Sequence, residues 1–210
     1  MTTYNDQLSD YITRTFVPES EPLRRIRAQT AEHGLPGIEL SPEEGQFLHW
    51  LVRATGARRV VEIGTLGGYS GSCIALALPN DGRATLHTIE INPDHAAVAQ
   101  RHFALAGVDD RVTVHVGAAR EVLPTLTARG PFDLVFMDAD RDSYPDYFTW
   151  IAENLRVGGT LAMHNAFANG KVLTDKPTIF HFNRQVAHDP RFTSTIYPAG
   201  DGMLIATRRA

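Results

Sequence analysis

Residues 60–70 read VVEIGTLGGYS. A β-branched run ends at Glu62-Ile63-Gly64, and Gly67-Gly68 precede an apolar stretch from Cys73 to Leu78. A strand that breaks at a glycine turn and opens a helix forms the mouth of a nucleotide pocket. The glycines let the backbone approach a ligand, and the helix N-terminus offers unpaired N–H groups. The spacing is E-x-G-x-x-x-G, Glu62 to Gly68, and not G-x-G-x-x-G, because Leu66 stands where the second glycine would be. Glu90 ends the next apolar segment, where a carboxylate can accept both ribose hydroxyls of a nucleoside. Its other reading is an acid near the N-terminus of the helix that Asn92-Pro93 begins. Asp138 directly follows the apolar Leu134–Met137, and Asp140 and Asp142 alternate behind it. His164-Asn165 ends a later apolar segment. Carboxylate, imidazole and amide oxygen together could hold a divalent metal ion. Equally, an imidazole oriented by a carboxylate could act as a general base. The structural readings of the same residues are an acidic loop capping the helix at Tyr144 and a histidine bonded into its loop. The remaining histidines in helices or strands (His49, His87, His95, His102, His115, His181, His188) carry no role that spacing can name.

The elements that must position these residues follow from periodicity and punctuation. Leu8, Ile12 and Phe16 mark an amphipathic helix over Asn5–Val17. A second helix spans Pro22–Ala31, with Arg24, Arg25 and Arg27 on a solvated face or, alternatively, an anion site. His33 to Gly37 breaks it. Ser41-Pro42-Glu43-Glu44 is a strong start signal: Ser at N-cap, Pro at N1 and Glu at N3, a capping box. The helix it opens is expected to bury Phe47, Leu48, Leu51 and Val52 and to stop at Gly56. Strands and helices then alternate: Val60–Ile63, Ser70–Leu78, Thr85–Ile91, Asn92 to Ala106, Val112–Val116, Arg120–Ala128, Phe132–Met137 and Tyr144–Leu155. Gly158-Gly159 is read as a turn into a strand over Thr160–Met163. Such alternation with short loops specifies an α/β fold, a mostly parallel sheet covered on both faces. After a helix over Thr178–Ala187, Phe192–Tyr197 and Met203–Ala206 flank Pro198 to Gly202. That pattern predicts an antiparallel hairpin at the sheet edge. The chain reads as one domain over 1–210, with a helical cap over 1–56 and an α/β core over 57–210. In this fold ligands bind beyond the C-terminal ends of the strands, which here carry Glu62/Gly64, Glu90, Gly117, Asp138 and His164-Asn165.

Composition narrows the function. The chain has 210 residues, 43% of them hydrophobic, enough for one full core. The net charge is -4 and no basic block occurs, so neither a nucleic-acid groove nor an anionic-membrane surface is indicated. Cys73 is the single cysteine, which excludes an internal disulfide and fits a reducing compartment. No leader pattern and no apolar run of ~20 residues is visible, so a cytoplasmic protein is expected.

Taken together, these stretches resemble a known family. The E-x-G-x-x-x-G turn is that of class I methyltransferases that bind S-adenosyl-L-methionine (SAM), which carries no pyrophosphate and needs no phosphate cradle. IELSPEEGQFL from Ile38, EIGTLGGYS, TIEINP from Thr88, AGVDDRV from Ala106, MDADRDSY from Met137 and GDGMLIATRR from Gly200 look like the cation-dependent O-methyltransferases. These are the catechol and caffeoyl-CoA type enzymes and their small bacterial relatives. The match runs in order from about Leu35 to Arg209. It implies a Rossmann-like, seven-stranded sheet with a C-terminal hairpin. It also implies methyl transfer from SAM to a hydroxyl of a small acceptor, often one of two vicinal hydroxyls on an aromatic ring. Carried over by position, Leu40 and Gly64 would contact SAM through the main chain, Glu62 and Ser70 would hold its amino acid end, and Glu90 its ribose. Ile91, Ala118 and Ala119 would flank the adenine. Asp138 would touch both SAM and a metal, and the metal set would fall on Asp138, His164 and Asn165. A homodimer is common among the bacterial members.

The chain departs from the family pattern at the reaction centre. His164-Asn165 stands where Asp-Asn is usual, and Arg141 where a lysine is. Arginine stays protonated and cannot serve as a base at neutral pH. Loss of a carboxylate weakens a site for Mg²⁺, whereas imidazole favours Zn²⁺ or Fe²⁺, with Mn²⁺ intermediate. Two mechanisms stay open: a divalent ion on Asp138, His164 and Asn165 that acidifies the acceptor, or no metal and His164 as general base. A SAM-binding partner subunit without catalysis is the reading from a different class. An NAD-dependent dehydrogenase is disfavoured by the missing G-x-G-x-x-G. Phe167, Trp150 and Tyr197 are candidate acceptor-wall aromatics, with core packing the expected fate of Trp150.

Overall fold

The computed structural model describes residues 4–175 and 177–209. Three helices lead: α1 (Asp6–Phe16), α2 (Glu21–Glu32) and α3 (Pro42–Thr55). Asn5 caps α1, its side chain accepting from the Leu8 N–H. The capping box at Ser41 forms with both reciprocal bonds, and α3 ends in left-handed Gly56. Strands and helices then alternate as β1 (Arg59–Ile63), α4 (Tyr69–Ala77), β2 (Thr85–Glu90), α5 (Pro93–Leu105), β3 (Val112–Val116), α6 (Ala119–Leu126), β4 (Phe132–Met137), α7 (Tyr144–Asn154), β5 (Leu155–Met163), α8 (Thr178–His188), β6 (Phe192–Tyr197) and β7 (Met203–Arg208). They form one seven-stranded sheet in the order β3-β2-β1-β4-β5-β7-β6. β1 to β5 pair in parallel, and β7 runs antiparallel to both β5 and β6. The hairpin thus places β6 at the edge and β7 inside the sheet.

The parallel strands are apolar on both faces because both are covered. Val61, Ile63, Val135, Met137, Leu161 and Met163 point into a core closed by α6, α7 and α8. Val60, Leu86, Leu134, Phe136 and Ala162 point into a second core closed by α2 to α5. Two expectations need correction. Gly158-Gly159 lies inside β5, not before it. The pairing with β4 slips between Phe132 and Leu134, so residues 156–159 bulge out of register and the strand begins at Leu155. Phe47 is only half-buried and stacks flat on Tyr197, with ring centroids 4.0 Å apart. No helix among the described residues is long and apolar enough to cross a membrane.

The ladder continues one residue past β1, β3, β4 and β5. The N–H groups of Gly64, Gly117, Asp138 and His164 donate to Ile89, Glu90, Ile63 and Met137 in turn. That register aligns the polar strand ends along one crevice, at the point where β2 and β4 diverge on either side of β1. Gly64 is indispensable to it. Its φ is +96°, and a Cβ there would lie 2.0 Å from the Asp138 carbonyl oxygen. Gly64→Ala is therefore expected to cost more than ~2 kcal/mol in urea unfolding, with loss of soluble protein the extreme outcome. Gly82→Ala, also at positive φ but with nothing within 4 Å of the new methyl, should cost about 1 kcal/mol.

Candidate active site

A cavity of about 830 Å³ opens at the C-terminal ends of β1, β2 and β4. Gly64, Leu66, Ser70, Glu90 and Asp138 line it, with Leu40, Ile91, Ala118 and Ala119 on its walls. Glu62 lies fully buried behind the glycine turn. Ser70 Oγ and Thr88 Oγ1 donate to its two oxygens, each at 2.6 Å. Burial raises its pKa from 4.5 to about 7; the two hydroxyls oppose the rise, and the charges of Asp138 and Glu90 add to it. Gly71 permits the approach, since a Cβ there would sit 2.7 Å from Glu62 Oε2.

Glu90 is held by main-chain donors. The Leu66 and Asn92 N–H groups reach its carboxylate at 2.8 and 2.9 Å, and that of Thr65 at 3.3 Å. His95 Nδ1 lies 3.8 Å away. Three N–H groups fix the carboxylate's direction, so it faces the cavity as a pre-aimed acceptor for hydroxyl groups. Leu66 takes a left-handed φ of 47° to present its N–H, which is strain stored at a ligand-facing turn.

The structure brings Asp138, His164 and Asn165 together and adds a residue that spacing did not. His164 is buried between two carboxylates. Its Nδ1 lies 3.1 Å from Asp138 Oδ2, and its Nε2 lies 2.9 Å from Glu44 Oε1. The other oxygen of Glu44 accepts from the N–H and Oγ of Ser41, the capping box that starts α3. Burial alone would lower the His164 pKa; the bonds to Asp138 and Glu44 and their charges outweigh it and raise it to about 9. For Glu44, burial pushes up, but His164 and Ser41 hold the carboxyl below its usual range. Asn165, at φ 59°, sets its amide nitrogen 3.3 Å from Asp138 Oδ1 and 3.1 Å from His164 Nδ1.

The donor chemistry of this group does not fit a divalent ion. Each ring nitrogen already faces a carboxylate oxygen, and a nitrogen that bears hydrogen has no lone pair to offer a metal. Among the described residues, no cluster of three or more His, Cys, Asp or Glu is arranged to hold one.

Other residues singled out from the sequence lie elsewhere. Trp150 packs against the core ring of Phe132 and donates to Thr127 Oγ1. Tyr197 stacks on Phe47 and donates to Glu43. Phe167 packs where a Cβ on Gly202 would be. Arg25 and Arg27 pair with Glu21 and Glu19, and the Arg27 guanidinium also covers the Tyr69 ring. Sequence reasoning missed Glu44 as a partner of His164, Thr88 as a partner of Glu62, and His95 on the cavity wall. Only His95 left a signal, since it stands in the first turn of the helix that follows Glu90.

The strand order, the hairpin and the acids at three strand ends define a class I methyltransferase. A family model described as O-methyltransferase matches residues 13–209. The catechol O-methyltransferase of Niastella koreensis is 38% identical over 82% of this chain and 78% of its own length. The caffeoyl-CoA O-methyltransferase of Eucalyptus gunnii is 34% identical over 97% of this chain and 88% of its own. The solved O-methyltransferase TomG from Streptomyces achromogenes, in complex with SAM, superposes with a TM-score of 0.88 at 34% identity, covering 97% of this chain and 96% of that one. The chain belongs to the O-methyltransferase family, whose enzymes are SAM-dependent.

Glu62 gives a pH test of this site. A carboxyl raised from 4.5 to about 7 favours the fold below pH 4.5, and that contribution is lost as pH rises through 7. Glu62→Gln cannot lose a proton. Its melting temperature should match the parent's near pH 5 and exceed it at pH 8, by up to about 3 kcal/mol of stability. A pH-independent gap in calorimetric scans would contradict the assignment.

Proposed function

We propose that this protein transfers the methyl group of SAM to a hydroxyl of a small, aromatic, catechol-like acceptor. The observation that carries the proposal is the convergence of Glu90, Asp138 and Ser70 with the Gly64–Gly67 turn on one cavity, Ser70 being bonded to the buried Glu62 behind it. In this reading the cationic amino acid end of SAM lies toward Glu62 and Ser70, and its ribose hydroxyls bond Glu90. The adenine sits between Ile91, which is 71% exposed and so available to a ring, and the backbone around Ala118 and Ala119. Leu40 and Gly64 contact the cofactor through the main chain. The catechol and caffeoyl-CoA enzymes among the relatives support the acceptor class.

The sulfonium methyl is the electrophile. The acceptor oxygen forms the new C–O bond as the S–CH₃ bond breaks, and its electron pair passes to sulfur. S-adenosylhomocysteine leaves neutral at sulfur. The acceptor proton goes to the Asp138 carboxylate, which lines the cavity. His164 as the base would need a ring nitrogen free to accept, and both face carboxylates. Arg141, also on the cavity wall, adds positive charge that acidifies the hydroxyl. Alignment of oxygen, methyl and sulfur supplies most of the acceleration, up to ~7–11 kcal/mol in favourable cases. We place the enzyme in the cytoplasm, where its single buried thiol stays reduced. We assign it a homodimer through the apolar side chains that α1 and α3 leave exposed, Tyr11, Phe16 and Trp50.

Mass spectrometry of reactions with SAM and a panel of catechols and phenols tests the proposal, and the expected product is one methyl group heavier. S-adenosylhomocysteine binding without product from any hydroxyl acceptor would instead support a non-catalytic partner subunit. Glu90→Ala should raise KM for SAM by at least ~10-fold, a loss of about 1.4 kcal/mol, with a smaller change in kcat.

A further inference from the structure

We infer that the His164 ring, donating from both nitrogens to Asp138 and Glu44, is the built-in cation of the reaction centre and that this enzyme works without a divalent metal ion. The inference rests on the methyltransferase reading for its role in catalysis and on geometry alone for its charge.

The distances set the protonation pattern. A neutral imidazole has one donor and one acceptor nitrogen. Here both nitrogens face carboxylate oxygens, at 3.1 Å to Asp138 and 2.9 Å to Glu44. A lone pair on either would point at a negative charge inside a buried pocket, which is costly. Asn165 Nδ2, also 3.1 Å from Nδ1, could donate to such a lone pair. The carboxylate is the stronger partner at the same distance, because charge-assisted bonds outweigh neutral ones. Two N–H donors between two acceptors is the arrangement that leaves neither acid uncompensated.

The ring therefore does by hydrogen bonding what an ion would do by coordination. It draws two acids to one point, neutralises part of their charge and sets a fixed positive charge beside Asp138. It also closes the point to a metal, because a divalent ion would have to displace a proton from one nitrogen and break a bond to an acid. Glu44 is a positioning residue in this scheme. It reaches His164 across 120 positions of sequence and is fixed by the capping box that starts α3. Gly200 completes its seat, since a Cβ there would fall 2.0 Å from Glu44 Oε1.

The test is a calorimetric titration of the whole wild-type protein, saturated with S-adenosylhomocysteine, with MnCl₂ and MgCl₂. Methyl transfer is measured before and after exhaustive chelation. The expected result is no saturable binding of either ion up to millimolar concentration and activity within twofold after chelation. His164→Asp should reverse this. It leaves carboxylates and an amide oxygen where the ring stood, a hard oxygen set that calls for a cation, so Mn²⁺ should bind at one ion per chain. One Mn²⁺ bound per wild-type chain, with activity lost on chelation, would overturn the inference. So would a folded His164→Asp protein that gains no ion. The wild-type titration decides the matter whether or not the variant folds. It also needs no acceptor: if no hydroxyl compound is methylated, the proposed function fails while the titration still reports on the site.

Discussion

Four carboxylates gather in and around one cavity, and the rest of the site follows from how their charge is managed. A parallel sheet places its strand ends side by side, so acids at the ends of β1, β2 and β4 cannot avoid one another. Buried carboxylates without partners would protonate or unfold the site. Each is handled differently. Glu62 takes two hydroxyl donors and has a pKa near neutrality. Glu90 is held by three main-chain N–H groups. Asp138 shares the His164 ring with Glu44. Of these, Glu90 and Asp138 face the cavity, and Glu62 lies buried behind it. In the proposed reaction the His164 ring sets positive charge behind the Asp138 carboxylate, on the side away from the acceptor.

The same constraint ties the helical cap to the core. Glu43 and Glu44 are adjacent in the first turn of α3, yet they serve different neighbours. Glu44 reaches into the sheet. Glu43 accepts from Tyr4 and Ser9 beside and within α1, at 2.7 and 2.6 Å, and from Tyr197 on β6 at 3.2 Å. α1 buries no residue of its own, so these polar bonds are a substantial part of what holds it. The lead helices are thus tied to the sheet through two acids that a local reading takes for a capping box and a first-turn charge.

Most of the fold was legible because its signals are local. Ser41-Pro42-Glu43-Glu44 specified a helix start that formed with both capping bonds, and the alternation of apolar runs with Gly, Asn and Pro gave every strand of the sheet. β5 escaped in part. Gly158-Gly159 looks like a turn, and only pairing with β4 makes it a bulge within a strand. The site was legible wherever a residue sits at a strand end, as Glu62, Glu90, Asp138 and His164 do. It was not legible where a partner comes from elsewhere in the chain. Thr88 faces Glu62 from the next strand, and Glu44 faces His164 from the cap. Neither contact has a period or a spacing. They arise from register and packing, and the Glu44 contact changes the chemistry: it turns a candidate ligand or base into a doubly donating ring.

The most direct measurement is a diffraction structure of crystals grown with S-adenosylhomocysteine, a catechol and Mn²⁺, with anomalous data collected for manganese. The account predicts the cofactor's amino acid end at Glu62 and Ser70, its ribose at Glu90, and His164 still bonded to Asp138 and Glu44, with no manganese peak in the cavity. A manganese ion coordinated by Asp138 and Asn165, with the His164 ring turned away from Glu44 or ligating the ion itself, would contradict it.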